Sequence, residues 1–212
     1  GTKGRVLVNR LGGDEAARLL SQNIDEAVPT RHGVNVRLKR YGINVNARYI
    51  SDGDAYVKQI KNGKDISKGE IGERVAYDLA KEKKYKIPEG FNKQSANQQG
   101  IDIIAKDTKT GEYIVTEAKF TSSSGSVGKG ALRNTNQGKQ MTDEWIDGAL
   151  TRMEKQGTID PKLADDLRKA YDTGKLKKEI VVVKNTPHSG KTITNSLAEP
   201  GLEINSVEIV KI

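Results

Sequence analysis

Between Gly100 and Phe120 the chain reads GIDIIAKDTKTGEYIVTEAKF. Two short runs rich in β-branched residues, Ile101–Ala105 and Tyr113–Phe120, flank a polar turn that contains Gly111. Runs of this length and composition read as neighbouring strands. Yet Asp102 lies in the first run, and Glu117 and Lys119 lie in the second. Charge inside an apolar strand is costly to bury unless it is paired or holds a metal ion. Any fold containing this stretch must therefore find a use for those three charges.

Positions i and i+2 of a strand share a face about 6.6 Å apart. Glu117 and Lys119 thus project to one side with Tyr113 and Val115, and Thr116, Ala118 and Phe120 to the other. If the two runs pair, Asp102 approaches Glu117. Two carboxylates with a backbone carbonyl make a hard oxygen site suited to Mg²⁺ or Mn²⁺, with Zn²⁺ as a further candidate. A lysine beside them can orient or help deprotonate a water, or stabilise charge on a phosphate. Such a set hydrolyses phosphodiesters without Cys, His or Ser. The plain alternative makes Asp102 the start of a turn and Glu117 and Lys119 cross-strand surface charges.

Upstream, residues 66–84 (ISKGEIGERVAYDLAKEKK) predict a helix with Ser67 as N-cap and Glu70 as its capping-box partner. At about 100° per residue, Ile71, Val75 and Leu79 fall together, and Gly72, Ala76 and Ala80 extend that arc. Glu73 stands at its edge, where a core-facing site can recruit it, whereas Glu70 is explained as a cap. Tyr85–Gly100 is a connection carrying the amide-rich run QSANQQG. Thr121–Gly138 is a Gly- and Ser-rich loop, either a plain linker or a place where Lys129 and Arg133 touch phosphate. Lys139–Gln156 predicts a second helix, capped by Thr142, with Trp145, Ile146, Ala149, Leu150 and Met153 in one stripe and Gly157 at its end. Asp160-Pro161 opens a third, with Leu163, Leu167 and Ala170 inward and Gly174 closing it. Glu179–Lys184 and Leu202–Ile212 read as strands. Helix, strands, helices, strands in that order indicate a layered α/β or α+β domain.

The first 65 residues look different: 12 Lys and Arg face 7 Asp and Glu, which is +5 of the chain's formal +8. Gly4–Leu11 reads as a strand, and Asp14–Ala27 as a helix capped by Asp14 with Leu19, Leu20 and Ile24 inward. Val34–Ile50 reads as strand broken at Gly42. Its Arg37, Lys39, Arg40 and Arg48, with Tyr41 and Tyr49, are candidates for phosphate and base contacts or form a solvated sheet face. The charge and a pI of about 9.4 favour an anionic partner, most simply nucleic acid. The absence of cysteine excludes disulfides and thiolate metal sites. His32 and His188 have no ligand spacing and receive no role. No apolar run approaches the ~20 residues needed to span a membrane, and no secretory signal is visible. The chain opens Gly1-Thr2-Lys3 rather than on Met, and so reads as a piece of a larger protein.

A helix glutamate, an aspartate after an amide- and glycine-containing loop, then Glu-Ala-Lys on the next strand together resemble the PD-(D/E)XK nuclease superfamily. The resemblance implies an α/β (α+β) restriction-endonuclease-like core, a central mixed sheet flanked by helices. Residues 66–212 would form this nuclease domain, and 1–65 a small basic extension serving delivery or as an accessory subdomain. It implies divalent-metal-dependent cleavage of nucleic acid, with Asp102 and Glu117 as metal-binding acids, Glu73 as the acid of the first core helix and Lys119 as the catalytic lysine. Ile101 stands where the superfamily has proline. Gly138–Ile146, GKQMTDEWI, is further similar to C-terminal nuclease domains of bacterial polymorphic toxins, including contact-dependent growth inhibition toxins. That likeness places Gln140 near the active site, against the phosphate or a metal-bound water. It also implies delivery by secretion or from the cell surface, action on DNA (alternatively tRNA) in the target-cell cytoplasm, and a cognate immunity protein. Two other classes compete. A non-catalytic basic nucleic-acid-binding module gives no reason to seat Asp102 and Glu117 inside apolar strands. A housekeeping repair or restriction nuclease is disfavoured by the toxin-like Gln140–Ile146 segment and by the missing initiator Met.

Overall fold

In the computed structural model, which describes residues 1–93, 99–186 and 192–212, the apolar runs assemble into one seven-stranded mixed sheet. Residues 94–98 of the amide-rich run and His188 lie outside the described residues. The strands are β1 (Glu26–Thr30), β2 (Gly33–Arg40), β3 (Ile43–Ile50), β4 (Ile103–Lys106), β5 (Tyr113–Thr121), β8 (Leu176–Lys184) and β9 (Ser206–Lys211); β6 (Asn134–Thr135) and β7 (Gly138–Lys139) form a separate small hairpin. Their order across the sheet is β1-β2-β3-β9-β8-β5-β4. β1, β2 and β3 form an antiparallel meander, β3, β9, β8 and β5 run parallel, and β4 closes the edge antiparallel to β5. The first 65 residues therefore supply one end of the same sheet.

Helices cover both faces, the layering expected of a sheet with a parallel centre. On one side lie α1 (Thr2–Leu11), α2 (Gly13–Leu20), α5 (Asp143–Gln156) and α6 (Pro161–Asp172); on the other lie α3 (Gly53–Lys61) and α4 (Lys68–Glu82). The central strand β8 is buried on both faces, Ile180 and Val182 packing toward α5 and α6, and Val181 and Val183 toward α4. The α4 arc is as expected: Ile71, Gly72, Val75, Ala76, Leu79 and Ala80 are buried, and Ser67 Oγ accepts from the Glu70 N–H at 3.2 Å. The five stripe residues of α5 are also buried, and Asp160 Oδ1 caps α6 at the Leu163 N–H, 2.7 Å away.

Gly4–Leu11 is a helix, not a strand. Its short apolar run fits either period, and Gly4, Leu7 and Leu11 fall on one helical face, with Gly4 against Leu20 of α2. α2 in turn ends at Leu20, which is 41% exposed, and Ala27 belongs to β1. α5 starts at Asp143 rather than Lys139, because Gly138 and Lys139 pair with the preceding residues as β7. Two of the expected nucleic-acid contacts prove to be internal. Arg48 binds Glu208 (3.3 Å) and Glu82 (3.1 Å), and the buried Tyr49 accepts a hydrogen bond from Lys211 Nζ at 3.2 Å. Lys83 completes the cluster, 2.9 Å from Glu179 and 2.6 Å from Glu208, and ties the end of α4 to the sheet.

Candidate active site

The register of β4 on β5 ends at Ile103↔Thr116, so Glu117–Thr121 continues alongside β8 with its other edge free of a strand partner. The next N–H on that open edge, from Ala118, donates to Asp102 Oδ2 at 2.9 Å. A carboxylate thus takes the place of the missing strand. Gly100, at φ +131°, is what brings Asp102 there. A Cβ at that position would lie 2.7 Å from the Met153 side chain, and the neighbouring Ile101 N–H reaches Met153 Sδ at 3.4 Å. From the opposite face, α4 approaches β5 at Gly72, where an added Cβ would stand 3.3 Å from the Lys119 carbonyl carbon. This close approach sets the adjacent Glu73 beside Asp102.

Between Glu73 and Asp102 lies a residue that the sequence did not mark. Lys93 Nζ is 2.9 Å from Asp102 Oδ1 and 3.3 Å from Glu73 Oε1, and its side chain is only 5% exposed. Its stretch is pinned by the Asn92 N–H donating to Thr158 O at 2.7 Å. A single lysine in a polar connection carries no periodic or motif signal, so only its position reveals it.

On the other side of Asp102, Glu117 Oε1 meets Lys119 Nζ at 2.8 Å. Lys119 donates in turn to Gln140 Oε1 at 2.7 Å, which also accepts the Arg133 N–H at 3.0 Å; the Gln140 N–H returns to Arg133 O at 2.9 Å. The β6–β7 hairpin therefore fixes Gln140, and Gln140 fixes the lysine. The expected residues fall into two bonded groups, Glu73 and Asp102 bridged by Lys93, and Glu117–Lys119–Gln140, which the Ala118 N–H to Asp102 bond sets side by side as one acid series. Lys129, in contrast, is ion-paired with Glu199 at 2.9 Å.

The series is short of positive charge. Burial and then the Asp102 charge push the Glu73 carboxyl up to about 7, against the pull of Lys93. Burial and Asp102 likewise push Glu117 up to about 7, against Lys119. Glu117 Oε2 is buried without a hydrogen-bond partner among the described residues. An orphaned carboxylate oxygen beside a second carboxylate is the donor chemistry of a hard divalent cation. Among the described residues no three His, Cys, Asp or Glu groups stand close enough to share one ion. The fit is therefore through Asp102 and Glu117, since Mg²⁺ is usually held by one or two carboxylates and completes its shell with water. Glu73 is joined to this pair through Lys93 and Asp102. Compared with protein-family models, with curated proteins and with solved structures, the chain matches none.

Proposed function

We propose that the chain is a divalent-metal-dependent endonuclease with a restriction-endonuclease-like core, acting on DNA as a toxin inside a target bacterium. The observation that carries this is the juxtaposition of Asp102, Glu117 and Lys119 where β4 parts from β5, with one buried Glu117 oxygen left over. A divalent ion held by Asp102 and Glu117 would supply charge neutralisation at the scissile phosphate and a water of lowered pKa.

The chain's own groups do the rest. Lys119, oriented by Glu117 and Gln140, presents an ammonium that can position the attacking water or stabilise charge developing on the phosphate. The Ala118 N–H and Lys93 hold both oxygens of Asp102 in place. Glu73, outside the Asp102–Glu117 pair, has its carboxyl pushed up to about 7 by burial and the Asp102 charge, the range in which a group serving as proton acceptor is most effective. An active nuclease of this kind requires protection in the cell that makes it, so a cognate immunity protein is its expected partner. Among the described residues no helix is long and apolar enough to cross a membrane.

The test is incubation with plasmid DNA and with total tRNA in Mg²⁺, Mn²⁺, Zn²⁺ or EDTA. Asp102→Ala and Lys119→Ala should each lower cleavage by about 10²–10³-fold, and EDTA should stop it. Cleavage that survives EDTA and both substitutions would refute the mechanism. Cleavage of tRNA alone would move the substrate from DNA to tRNA.

A further inference from the structure

Two walls flank the acid series, and they differ in charge. On the α4 side a groove of about 1040 Å³ runs past Glu70, Glu73, Asp78, Glu82 and Asp102. Most of its cations are already engaged. Arg48 and Lys93 are in ion pairs, and Arg74 donates to the carbonyls of Ile60 and Lys61 at 3.1 and 3.3 Å, which leaves Arg31 in the β1–β2 turn. A polyanion laid there would meet a row of carboxylates.

The wall on the Gln140 side is richer in cations, with Glu199 on Lys129 and Glu144 beside Gly138 as carboxylates near it. From Ala118 to Thr142 the sequence contains no Asp or Glu, while Lys119, Lys129, Arg133 and Lys139 lie within it. Three of these four cations have internal work. Lys119 is in the site, Lys129 pairs with Glu199, and Lys139 Nζ donates to Lys129 O at 3.3 Å and to Leu132 O at 3.1 Å. Arg133 is different. Its backbone is clamped to Gln140 in both directions, while its side chain is exposed and its guanidinium has no partner among the described residues. Its backbone N–H is two hydrogen bonds from Lys119, through Gln140 Oε1, so the base of that guanidinium is anchored beside the site.

Resting on the nuclease reading above, we infer that the 118–142 wall, not the α4 groove, receives the nucleic-acid backbone, and that Arg133 binds a phosphate next to the scissile one. Arg133 suits this because its planar fork can grip a phosphate with two hydrogen bonds, and the hairpin spares it the cost of ordering its backbone. The exposed amides of Asn134 and Asn136 lie beside it on the hairpin and give the strand neutral donors.

The experiment measures binding of a short fluorescein-labelled DNA duplex by anisotropy in EDTA, over a range of salt concentrations. Arg133→Ala should weaken binding about tenfold and flatten the plot of log affinity against log salt by about one unit. Arg5→Ala, which removes an equivalent exposed charge from α1, should leave affinity and slope unchanged. Arg133→Glu should weaken binding further while both variants melt at the wild-type temperature. Equal affinity and slope in wild type and Arg133→Ala would overturn the inference, as would an equal loss in Arg5→Ala. Binding that depends on Arg133 without any cleavage in Mg²⁺ or Mn²⁺ would instead sink the nuclease reading and leave the wall in place. Cleavage unaffected by Arg133 would do the opposite.

Discussion

At the scale of the residue, Glu117 is the group whose titration has the clearest consequence. Its folded-state pKa is raised from the ordinary 4.5 to about 7 by burial and by Asp102. The folded chain therefore holds that proton more tightly than the unfolded chain does. Metal-free protein should be most stable with respect to this group below about pH 4.5 and lose on the order of 3 kcal/mol as the pH rises through about 7. Urea midpoints in EDTA at about pH 5 and about pH 8 check this. Glu117→Gln should remove most of the slope and be the more stable protein at the higher pH. Metal affinity, read by titration calorimetry, should move the other way, rising toward about pH 7 as Glu117 ionises. Asp102, Glu117 and Lys119 were legible in the sequence because charge inside a β-branched run is an anomaly that demands a partner. Glu73 was legible because helical angle separates it from Glu70. Lys93 was not, since nothing about an isolated lysine after Phe91-Asn92 says which carboxylates it will meet.

Among the elements, α4 does the most to shape the site, holding Glu73 near its start and Lys83 just past its end. Lys83 is the counter-ion of both Glu179 and Glu208, neither of which is exposed. Lys83→Met should cost about 3–5 kcal/mol, because it leaves the buried Glu179 without a counter-ion and Glu208 with Arg48 alone. Thermal melting measures the loss. Replacing Lys83, Glu179 and Glu208 together with apolar residues should recover much of it. The caps and stripes of α4, α5 and α6 could be read directly, since Ser67, Thr142 and Asp160 each precede an apolar arc. The strand ends could not. Lys178 looks like a solvated residue in sequence, yet its ammonium is buried against Asp143 Oδ1 and Leu202 O, each 2.7 Å away. Alternation along a strand says which residues share a face but not whether a loop will close over the end. Gly4–Leu11 proved a helix for a different reason, since an apolar run that short fits the helical period as well as that of a strand.

For the whole molecule, the sheet does not respect a boundary at residue 65. β3 pairs with β9 from Asn44↔Ser206 to Tyr49↔Lys211, and Leu7, Leu19, Val34 and Val36 share a core with Trp145 and Ile209. Residues 66–212 alone should expose the β9 edge and the apolar surface beneath α1 and α2. We expect that fragment to lose cooperative unfolding and to aggregate, as judged by calorimetry and size-exclusion chromatography, while residues 1–212 unfold as a unit. A single cooperative unit also gives the internal cation Lys93 a meaning beyond bonding. The chain brings its own counter-charge to Glu73 and Asp102. On the nuclease reading, a divalent ion held by Asp102 and Glu117 would compete with that ammonium for an Asp102 oxygen, and the site would act as an ion exchanger. Its affinity for metal would then include the cost of displacing Lys93 from Asp102, and a protein of this kind would stay folded but latent until the ion is abundant.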